Sequence, residues 1–300
     1  MSKLHPVELT VTECNTLVGH LDNAGQSLRE NGHQSEADEC DAMMDELWRA
    51  ISVPGVDVPG ETLTTVSMTP ERWSLLFGSL DVWAFQFEDR HPKDSRRTRR
   101  LRDHISANVG DAFPAPAQPS APERRDVRVE VGALGCYWLF GAMNTKIPDS
   151  TPVLGNRLDY DAWIDEGNGL AVRSLILTGT REGTISLTAE LLRGCPPLDT
   201  GPWDDVAEYS WVFWTTDPVG EDPPLGRTLR AAAPEREAVI LFEFDPVQPS
   251  TCMYRVRVSV RGRDAGTGEE HLIQVWRAPS APASLIKATD RTGHRRRTGP

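Results

Sequence analysis

Four prolines within nine residues divide this 300-residue chain into two stretches with different hydrophobic periods. They lie in residues 113–124, which read Phe-Pro-Ala-Pro-Ala-Gln-Pro-Ser-Ala-Pro-Glu-Arg. Proline has no backbone N–H and favours extended polyproline geometry, so this segment is unsuited to a helix or a central strand. We interpret it as a semi-rigid linker, and we expect residues 1–112 and 125–290 to fold as separate domains before a frayed basic tail, 291–300.

The stretch before the linker has the period of amphipathic helices. Apolar or small residues recur at spacings of three and four at Cys14, Leu17, Val18, Leu21, Ala24, Gly25 and Leu28, and again at Ala37, Cys40, Met43, Met44, Leu47 and Trp48. Thr10 and Glu13 have the spacing of a capping box, which begins the first helix. The Asn-Gly pair at residues 31–32 ends that helix, so the pattern predicts a helical hairpin.

The hairpin is repeated. A shift of 59 places residues 10–22 on residues 69–81, with Thr, Leu, Gly, Leu and Asp coinciding. After a one-residue slip the second helices also match, placing Met43 on Leu101 and Leu47 on Ile105. One amphipathic hairpin cannot bury its stripe alone, so the repeat predicts a four-helix bundle. Glycine costs a helix about 1 kcal/mol relative to alanine, so Gly19 and Gly78 predict close helix–helix approach.

The two hairpins carry opposite charge. Glu36, Asp38, Glu39 and Asp41 occupy the region where the other half has Arg96, Arg97, Arg99 and Arg100. One interpretation is that these are solvated helix faces, partly paired across the bundle. The other is that the four arginines form a local anion-binding face, although no aromatic residues are interleaved with them for base stacking.

Beyond the linker the hydrophobic period changes to two. In residues 252–261, Tyr254, Val256, Val258 and Val260 are predicted to face inward, and Arg255, Arg257 and Arg261 to face outward. Further strand segments are 127–131, 136–140, 171–178, 184–191, 208–215, 238–244 and 271–277. Segments 171–178 and 184–191 are expected to form a hairpin. These strands predict an antiparallel β-sandwich over residues 125–290, while residues 278–284 form a loose stretch.

Composition and motif content weigh against several classes of function. A net charge of −12 disfavours nonspecific binding to nucleic acid. No phosphate-binding glycine loop, dinucleotide fingerprint or nucleophile elbow is present. The five cysteines include no C-x-x-C pair, which argues against a disulfide framework and a zinc cluster. His271, beside Glu269 and Glu270, is interpreted as a solvated residue next to a turn.

The sequence also lacks a long apolar run and an apolar signal core at its N-terminus. We therefore expect a cytoplasmic protein without a membrane segment, a cofactor or a metal. Four of its 32 basic residues are lysine and the rest arginine, a bias typical of GC-rich bacterial coding.

The strongest constellation of functional side chains is acidic and aromatic. It lies in residues 158–172 and 194–226, which contain no basic residue. Its members are Asp159, Tyr160, Asp161, Trp163, Asp165, Glu166, Trp203, Asp204 and Asp205. Carboxylates flanked by tryptophan and tyrosine suit a basic protein partner, with the aromatics as anchors. Ordinary polar loops are one alternative. A metal site at Asp159 and Asp161 is another, although the remaining ligands of a calcium loop are missing.

One segment of the chain resembles a motif of a known protein family. Asp159-Tyr-Asp-Ala-Trp-Ile-Asp-Glu-Gly-Asn-Gly-Leu-Ala171 is similar to the W-x-D-E-x-x-x-G-x-A stretch of the competence protein J family, bacterial inhibitors of a nuclease that acts in DNA uptake. The spacing here is one or two residues shorter. Tyr254-Arg-Val-Arg-Val258 resembles that family's closing strand, with Cys252 and Met253 in place of the usual Pro-Gly.

The resemblance extends over residues 127–277 and does not include the helical half. It implies a small β-sandwich that binds a protein such as a nuclease or a toxin, and it carries over no catalytic residue.

These observations predict a binding protein rather than an enzyme. It would neutralise or regulate a basic partner as an immunity protein does, by filling a phosphate-binding groove with carboxylates and aromatics. Two alternatives remain open. One is an enzyme with a carboxylate-based site in the sandwich, and the other is a scaffold that contacts nucleic acid through the helix around residues 96–102.

Overall fold

The computed structural model describes residues 3–30, 32–52, 58–88, 90–110, 122–141, 161–165, 169–213, 228–233, 236–244 and 252–298. The chain contains both helices and sheets and divides into two compact units, Met1–Pro116 and Ala117–Pro300. Most of the predicted linker lies outside the described residues, and Glu123 and Arg124 at its end already belong to a strand. Among the described residues, no helix is long and apolar enough to cross a bilayer.

The first unit consists of a strand followed by two helices, twice over. Its elements are β1 (His5–Thr10), α1 (Val11–Glu30), α2 (Gln34–Ile51), β2 (Leu63–Met68), α3 (Pro70–Gln86) and α4 (Pro92–Val109). The four predicted helices are present. The two strands are not predicted by the sequence pattern, and they pair antiparallel with each other.

A local two-fold axis relates the two halves of this unit. In the β1–β2 ladder Val7 lies opposite Val66, and these are the residues that the 59-residue shift equates. The Ser79 hydroxyl donates to the carbonyl oxygen of His20 at 3.4 Å, and these two residues are also 59 apart. A contact between equivalent residues lies on the axis that relates them. The sequence repeat is therefore a structural repeat.

Burial follows the same repeat. Equivalent buried residues are Cys14 and Trp73, Leu17 and Leu76, and Leu21 and Leu80 in the first helices, and Ala37 and Ser95, Cys40 and Thr98, Met43 and Leu101, Leu47 and Ile105, and Ile51 and Val109 in the second helices. Residues of both strands and all four helices share one hydrophobic core. Each hairpin thus buries its apolar stripe against the other half.

The beginning of α1 confirms the predicted capping box. The backbone N–H of Glu13 donates to the Thr10 hydroxyl oxygen at 3.1 Å, and the Glu13 carboxylate accepts from the Thr10 N–H at 2.8 Å. In the second half Thr69 takes the same position before Pro70, and its hydroxyl accepts weakly from the Arg72 N–H at 3.5 Å. These side chains satisfy amide groups that a helix start leaves without partners.

The prediction that Gly19 marks a close helix contact is wrong. Gly19 is exposed, and a Cβ built there would have no heavy atom within 4 Å. His20, the next residue, faces α3 instead, which turns Gly19 toward solvent. The close approach occurs at Gly25, where a Cβ would lie 3.4 Å from the Cβ of Cys40 on α2.

We expect the Gly19→Ala variant to be more stable than the wild type by about 1 kcal/mol, because alanine restricts the unfolded chain and meets no obstacle in the helix. Urea unfolding followed by circular dichroism measures the change. Gly25→Ala is the matched control, since its methyl group must fit against Cys40, and it should gain less. An unchanged or lower stability for Gly19→Ala would contradict this account.

His20 is a buried imidazole in the same core. It is 6% exposed, and its ring lies edge-on to the indole of Trp83 with 5.0 Å between centroids. Its Nδ1 atom has no hydrogen-bond partner among the described residues. Burial lowers the pKa of His20 from 6.5 to about 4. The imidazole is therefore neutral in the folded protein at neutral pH.

Because the unfolded chain binds this proton near pH 6.5 and the folded chain only near pH 4, acidification favours unfolding between those values. We expect His20 to account for a loss of about 3 kcal/mol of stability between pH 6.5 and 4. The difference in unfolding free energy between wild type and His20→Phe, measured at several pH values, isolates this contribution. Parallel pH profiles for the two proteins would refute it.

The described residues of the second unit form two open sheets and one helix. Its elements are β3 (Glu123–Val131), β4 (Cys136–Gly141), β5 (Asp161–Asp165), β6 (Gly169–Leu177), β7 (Gly183–Leu192), β8 (Asp205–Phe213), β9 (Thr228–Ala232), β10 (Val239–Glu243), β11 (Cys252–Arg261), β12 (Glu270–Arg277), β13 (Ser284–Ala288) and α5 (Arg291–Thr298). The five-stranded sheet has the order β10-β9-β4-β6-β5, and the six-stranded sheet has the order β13-β8-β11-β12-β7-β3.

Three predictions about this unit are wrong. Strands β6 and β7 do not form a hairpin, since they belong to different sheets. The sheets are not entirely antiparallel, because β7 and β12 pair in parallel. The tail predicted to be frayed contains α5, whereas residues 278–283 of the stretch predicted to be loose have no regular secondary structure, and β13 begins at its last residue, Ser284. Strands β5, β9 and β13 are not predicted by the sequence pattern.

The two faces of β11 are both covered. The inward-facing residues Tyr254, Val256, Val258 and Val260 are buried, as predicted. Arg255 and Arg257, predicted to face outward, are buried as well, at 5% and 4% exposure. Glu208 on β8 pairs with both guanidinium groups at 3.0 and 3.2 Å. Backbone carbonyls complete their hydrogen bonds, those of Pro196 and Pro197 for Arg257 and that of Ala281 for Arg255. Neighbouring segments of the chain therefore take the place of solvent on this face.

Candidate functional site

The acidic and aromatic residues selected from the sequence fall in two places. Asp161, Trp163 and Asp165 occupy alternate positions of β5, the outer strand of the five-stranded sheet. Asp205 is the first residue of β8, in the six-stranded sheet, and Trp203 and Asp204 immediately precede it. Asp159, Tyr160 and Glu166 lie outside the described residues. The described members therefore form one group in each sheet.

Trp203 and Asp204 lie beside the turn between β11 and β12. The Asp204 carboxylate accepts from the backbone N–H of Gly262 at 2.9 Å. Its own backbone N–H donates to the carbonyl of Val260 at 2.9 Å. Trp203 is half-buried, and the guanidinium of Arg261 lies 5.4 Å from the centre of its ring. One side of the indole is thus occupied by a cation of the same chain.

Asp205 is buried, with 4% exposure, and pairs with the guanidinium of Arg263, which is 2% exposed. The same guanidinium pairs with Asp290, whose Oδ2 atom lies 2.7 Å from its Nε. It also donates to the carbonyl of Leu177 at 3.3 Å. The Asp205 carboxylate further accepts from the Thr289 N–H at 3.1 Å. Asp205 therefore belongs to an internal ion network rather than to an open surface.

A second buried network lies beside the first. His271 is 2% exposed, so the prediction that it is solvated is wrong. Its Nε2 atom lies 2.8 Å from Oε1 of Glu269, and its Nδ1 atom lies 2.9 Å from the hydroxyl of Tyr137. Tyr137 belongs to β4 and His271 to β12, so the contact joins the two sheets.

Protonation states in this network follow from burial and hydrogen bonding. Burial lowers the pKa of His271, although Glu269 acts to raise it. Burial acts to raise the pKa of Glu269, but the hydrogen bonds from His271 and Thr180 outweigh it and leave the pKa below its usual value. We assign a neutral imidazole that donates from Nε2 to an ionised carboxylate and accepts the Tyr137 hydroxyl at Nδ1.

The turn at Gly179 connects the two networks. Its N–H donates to both carboxylate oxygens of Glu269 at 3.1 Å. A Cβ at this residue would lie 1.9 Å from the carbonyl oxygen of Arg263, so only glycine fits. The networks thus fix the start of β8, the β11–β12 turn and the beginning of α5 relative to one another.

These contacts decide what the site can do chemically. The carboxylate oxygens of Asp205 and Asp290 are already paired with Arg263, and those of Glu269 with His271. Among the described residues no cluster of His, Cys, Asp and Glu side chains is arranged to hold a metal ion. Sequence reasoning missed Arg263 and Asp290 because they lie 58 and 85 positions from Asp205 and belong to segments without a periodic pattern.

Some arginines of helix α4 are buried in ion pairs, and others are exposed to solvent. Arg99 is 7% exposed and pairs with Glu88 at 3.0 Å. Arg102 is buried between Asp81 and Asp103. Arg96, Arg97 and Arg100 are exposed. Of the four arginines predicted as an anion-binding face, one is thus committed to an ion pair within its own unit.

Comparison with known proteins gives one weak likeness. No protein-family model matches the chain, and no curated protein matches it. The crystal structure of ComJ from Bacillus subtilis, described as an inhibitor of the DNA degrading activity of NucA, covers 53% of this chain and all of its own length, at a TM-score of 0.34 and 9% identity. A structural similarity this low supports no conclusion about function.

We expect Arg263→Met to destabilise the second unit by about 3–5 kcal/mol, because Asp205 and Asp290 would remain buried without their shared cation. Arg261→Met is the matched control, since Arg261 pairs with Glu270 near the surface, and it should cost about 1 kcal/mol or less. Chemical denaturation followed by tryptophan fluorescence measures both. Equal costs for the two variants would contradict the importance assigned to the buried network.

Proposed function

We propose that this chain is a protein-binding module and that its second unit captures a basic protein partner, as immunity and inhibitor proteins do. The observation that carries the proposal is the position of β5, which holds Asp161, Trp163 and Asp165 and is the outer strand of its sheet. An outer strand offers backbone N–H and C=O groups to another chain. An acidic and aromatic outer strand therefore combines a backbone docking edge with selectivity for positive charge.

The chemistry of this strand suits a partner that normally binds phosphate. Lysine and arginine side chains that hold the phosphates of a nucleic acid also pair with carboxylates, and opposite charge accelerates the encounter. We propose a nuclease or a toxin as the partner and occlusion of its phosphate groove as the mechanism. Asp159, Tyr160 and Glu166 flank the same strand in sequence, and Trp203 and Asp204 are proposed as a second contact.

The carboxylates of the second unit that are paired within the chain favour a binding function over a catalytic one. Asp205, Glu269 and Asp290 already hold Arg263 and His271, which supports a structural role for them rather than a carboxylate-based active site. The Tyr137–His271 contact supports a sandwich of the two sheets, and the shared core of the first unit supports a helical bundle. Cysteines 14, 40, 136 and 195 form no disulfide, which supports action in a reducing compartment such as the cytoplasm.

The test reverses the charge of β5. We expect the Asp161→Lys/Asp165→Lys variant to lose basic partners that the wild type captures from a lysate of the native host, as measured by quantitative mass spectrometry. Glu182→Lys/Glu237→Lys is the matched control, because it makes the same change in net charge at exposed positions of the same unit. With the captured partner purified, its association rate should fall about tenfold or more for the β5 variant and fall with added salt for the wild type.

The inhibitor role has its own readout. Adding the wild-type chain in equal amount to a captured nuclease should suppress DNA cleavage, and the β5 variant should suppress it less. The proposal fails if the β5 variant captures the same proteins at the same rates as the control. Melting curves of both variants establish that each is folded.

A further inference from the structure

The first unit carries an acidic outer face on α2. Glu39 and Glu46 are paired with Arg72, and Asp41 with Arg29. Asp38 and Asp45 are exposed and have no ion pair to any described residue, and the Asp38 carboxylate accepts a hydrogen bond from the Gln34 side chain at 2.6 Å. Trp48 lies one turn beyond Asp45 on the same side of the helix and is 48% exposed. This acidic face thus ends in an exposed indole and in the exposed guanidinium of Arg49, four residues after Asp45.

The corresponding helix α4 carries a basic outer face. Lys93, Arg96, Arg97 and Arg100 are exposed and have no ion pair to any described residue. Their spacing of three and four residues places them along one side of the helix. Their net positive charge contrasts with the rest of the region, since residues 1–112 contain 19 acidic and 11 basic residues.

Aromatic rings adjoin the basic face at its beginning. Trp83 and Phe87 on and just after α3 lie 5.0 Å apart between ring centres, and Phe87 lies 6.1 Å from His91, the residue before α4. Trp83 and Phe87 are half-buried and His91 is exposed. Each charged face therefore has an apolar end.

The local two-fold axis relates these faces. The one-residue slip that equates Met43 with Leu101 also equates Asp38 with Arg96. The two faces therefore lie on equivalent outer surfaces of the unit and carry opposite net charge, although the equivalent of Asp45 is the exposed carboxylate of Asp103. Placing the α2 face of one molecule against the α4 face of another brings a surface of net negative charge against a surface of net positive charge.

We infer that the acidic face of α2 binds the basic face of α4 on a second copy of this chain. The occupant follows from charge complementarity, since the unpaired carboxylates of one face meet the unpaired guanidinium groups of the other. Trp48 serves as the anchor, because an indole stacks favourably on arginine and is a frequent hot spot of interfaces. Each copy keeps one face free, so the contact is head-to-tail and repeats.

This inference concerns the helical unit and does not rest on the proposed function of the sheets. A nucleic acid on the basic face is a competing occupant, and it must approach a region whose overall charge is negative. Self-association also brings together two chains of negative net charge, but it sets each acidic face against a basic one, whereas a nucleic acid offers negative charge alone.

The experiment exchanges the charges of the two faces in the full chain. One variant carries Asp38→Arg and Asp45→Arg, and the other carries Arg96→Glu and Arg100→Glu, all at exposed positions. Sedimentation velocity over a series of chain and NaCl concentrations measures association, and circular dichroism verifies folding. Asp22→Arg/Glu30→Arg on α1, also at exposed positions, is the control for the net-charge change of the first variant.

We expect the wild type and the control to associate at low salt and to dissociate as salt rises. Each face variant alone should associate at least tenfold more weakly, while an equimolar mixture of the two should associate again, because their faces are complementary once more. The chain carrying all four substitutions should also self-associate. The inference is overturned if the wild type stays monomeric at every concentration, or if mixing the two face variants does not restore association.

The competing occupant has a separate readout, the binding of a fluorescent single-stranded oligothymidine. The contrary outcome is that the probe binds the wild type and not the Arg96→Glu/Arg100→Glu variant while both proteins self-associate equally. In that case the basic face binds nucleic acid rather than a second copy, and the inference is wrong.

Discussion

The buried guanidinium of Arg263 is the interaction on which the organisation of the second unit depends. It joins Asp205 at the start of β8, Asp290 before α5 and the carbonyl of Leu177 at the end of β6. These elements are distant in sequence and belong to both sheets. A guanidinium has five donors in one plane, so a single side chain can hold several carbonyl and carboxylate groups in a fixed arrangement. Removing it would leave charges buried without compensation.

The helices could be predicted because their signal is local. Leu17 and Met43 belong to stripes that repeat every three or four residues, and the capping box at Thr10 needs only three positions to be recognised. Strands β1 and β2 could not be predicted in this way. Each has six residues, and each becomes a strand through a partner nearly 60 residues away. The two strands occupy equivalent places in the repeat. The alternating pattern within either strand is too short to predict it.

The candidate site was predictable in composition and not in geometry. The carboxylates and tryptophans of residues 159–166 and 203–205 are conspicuous in the sequence, but whether each one is buried or exposed depends on residues distant in the chain. Asp205 is internal because Arg263 reaches it, whereas Asp161 and Asp165 lie on an outer strand because of the order in which the strands pair. Alternation correctly placed Arg255 and Arg257 on the face opposite the valines. It could not foresee that residues 195–197 and 281 cover that face.

The Val7–Val66 pair on the local two-fold axis has an evolutionary consequence. If a single strand–helix–helix half once existed as its own polypeptide, two identical molecules would pair valine against the same valine and form a symmetric dimer. In such a dimer both second helices must carry the same charge, since they come from one gene. Duplication and fusion remove that restriction. The opposite charges of α2 and α4 then become a property that only the fused chain can possess, acquired by divergence of surface residues while the buried positions kept their pattern.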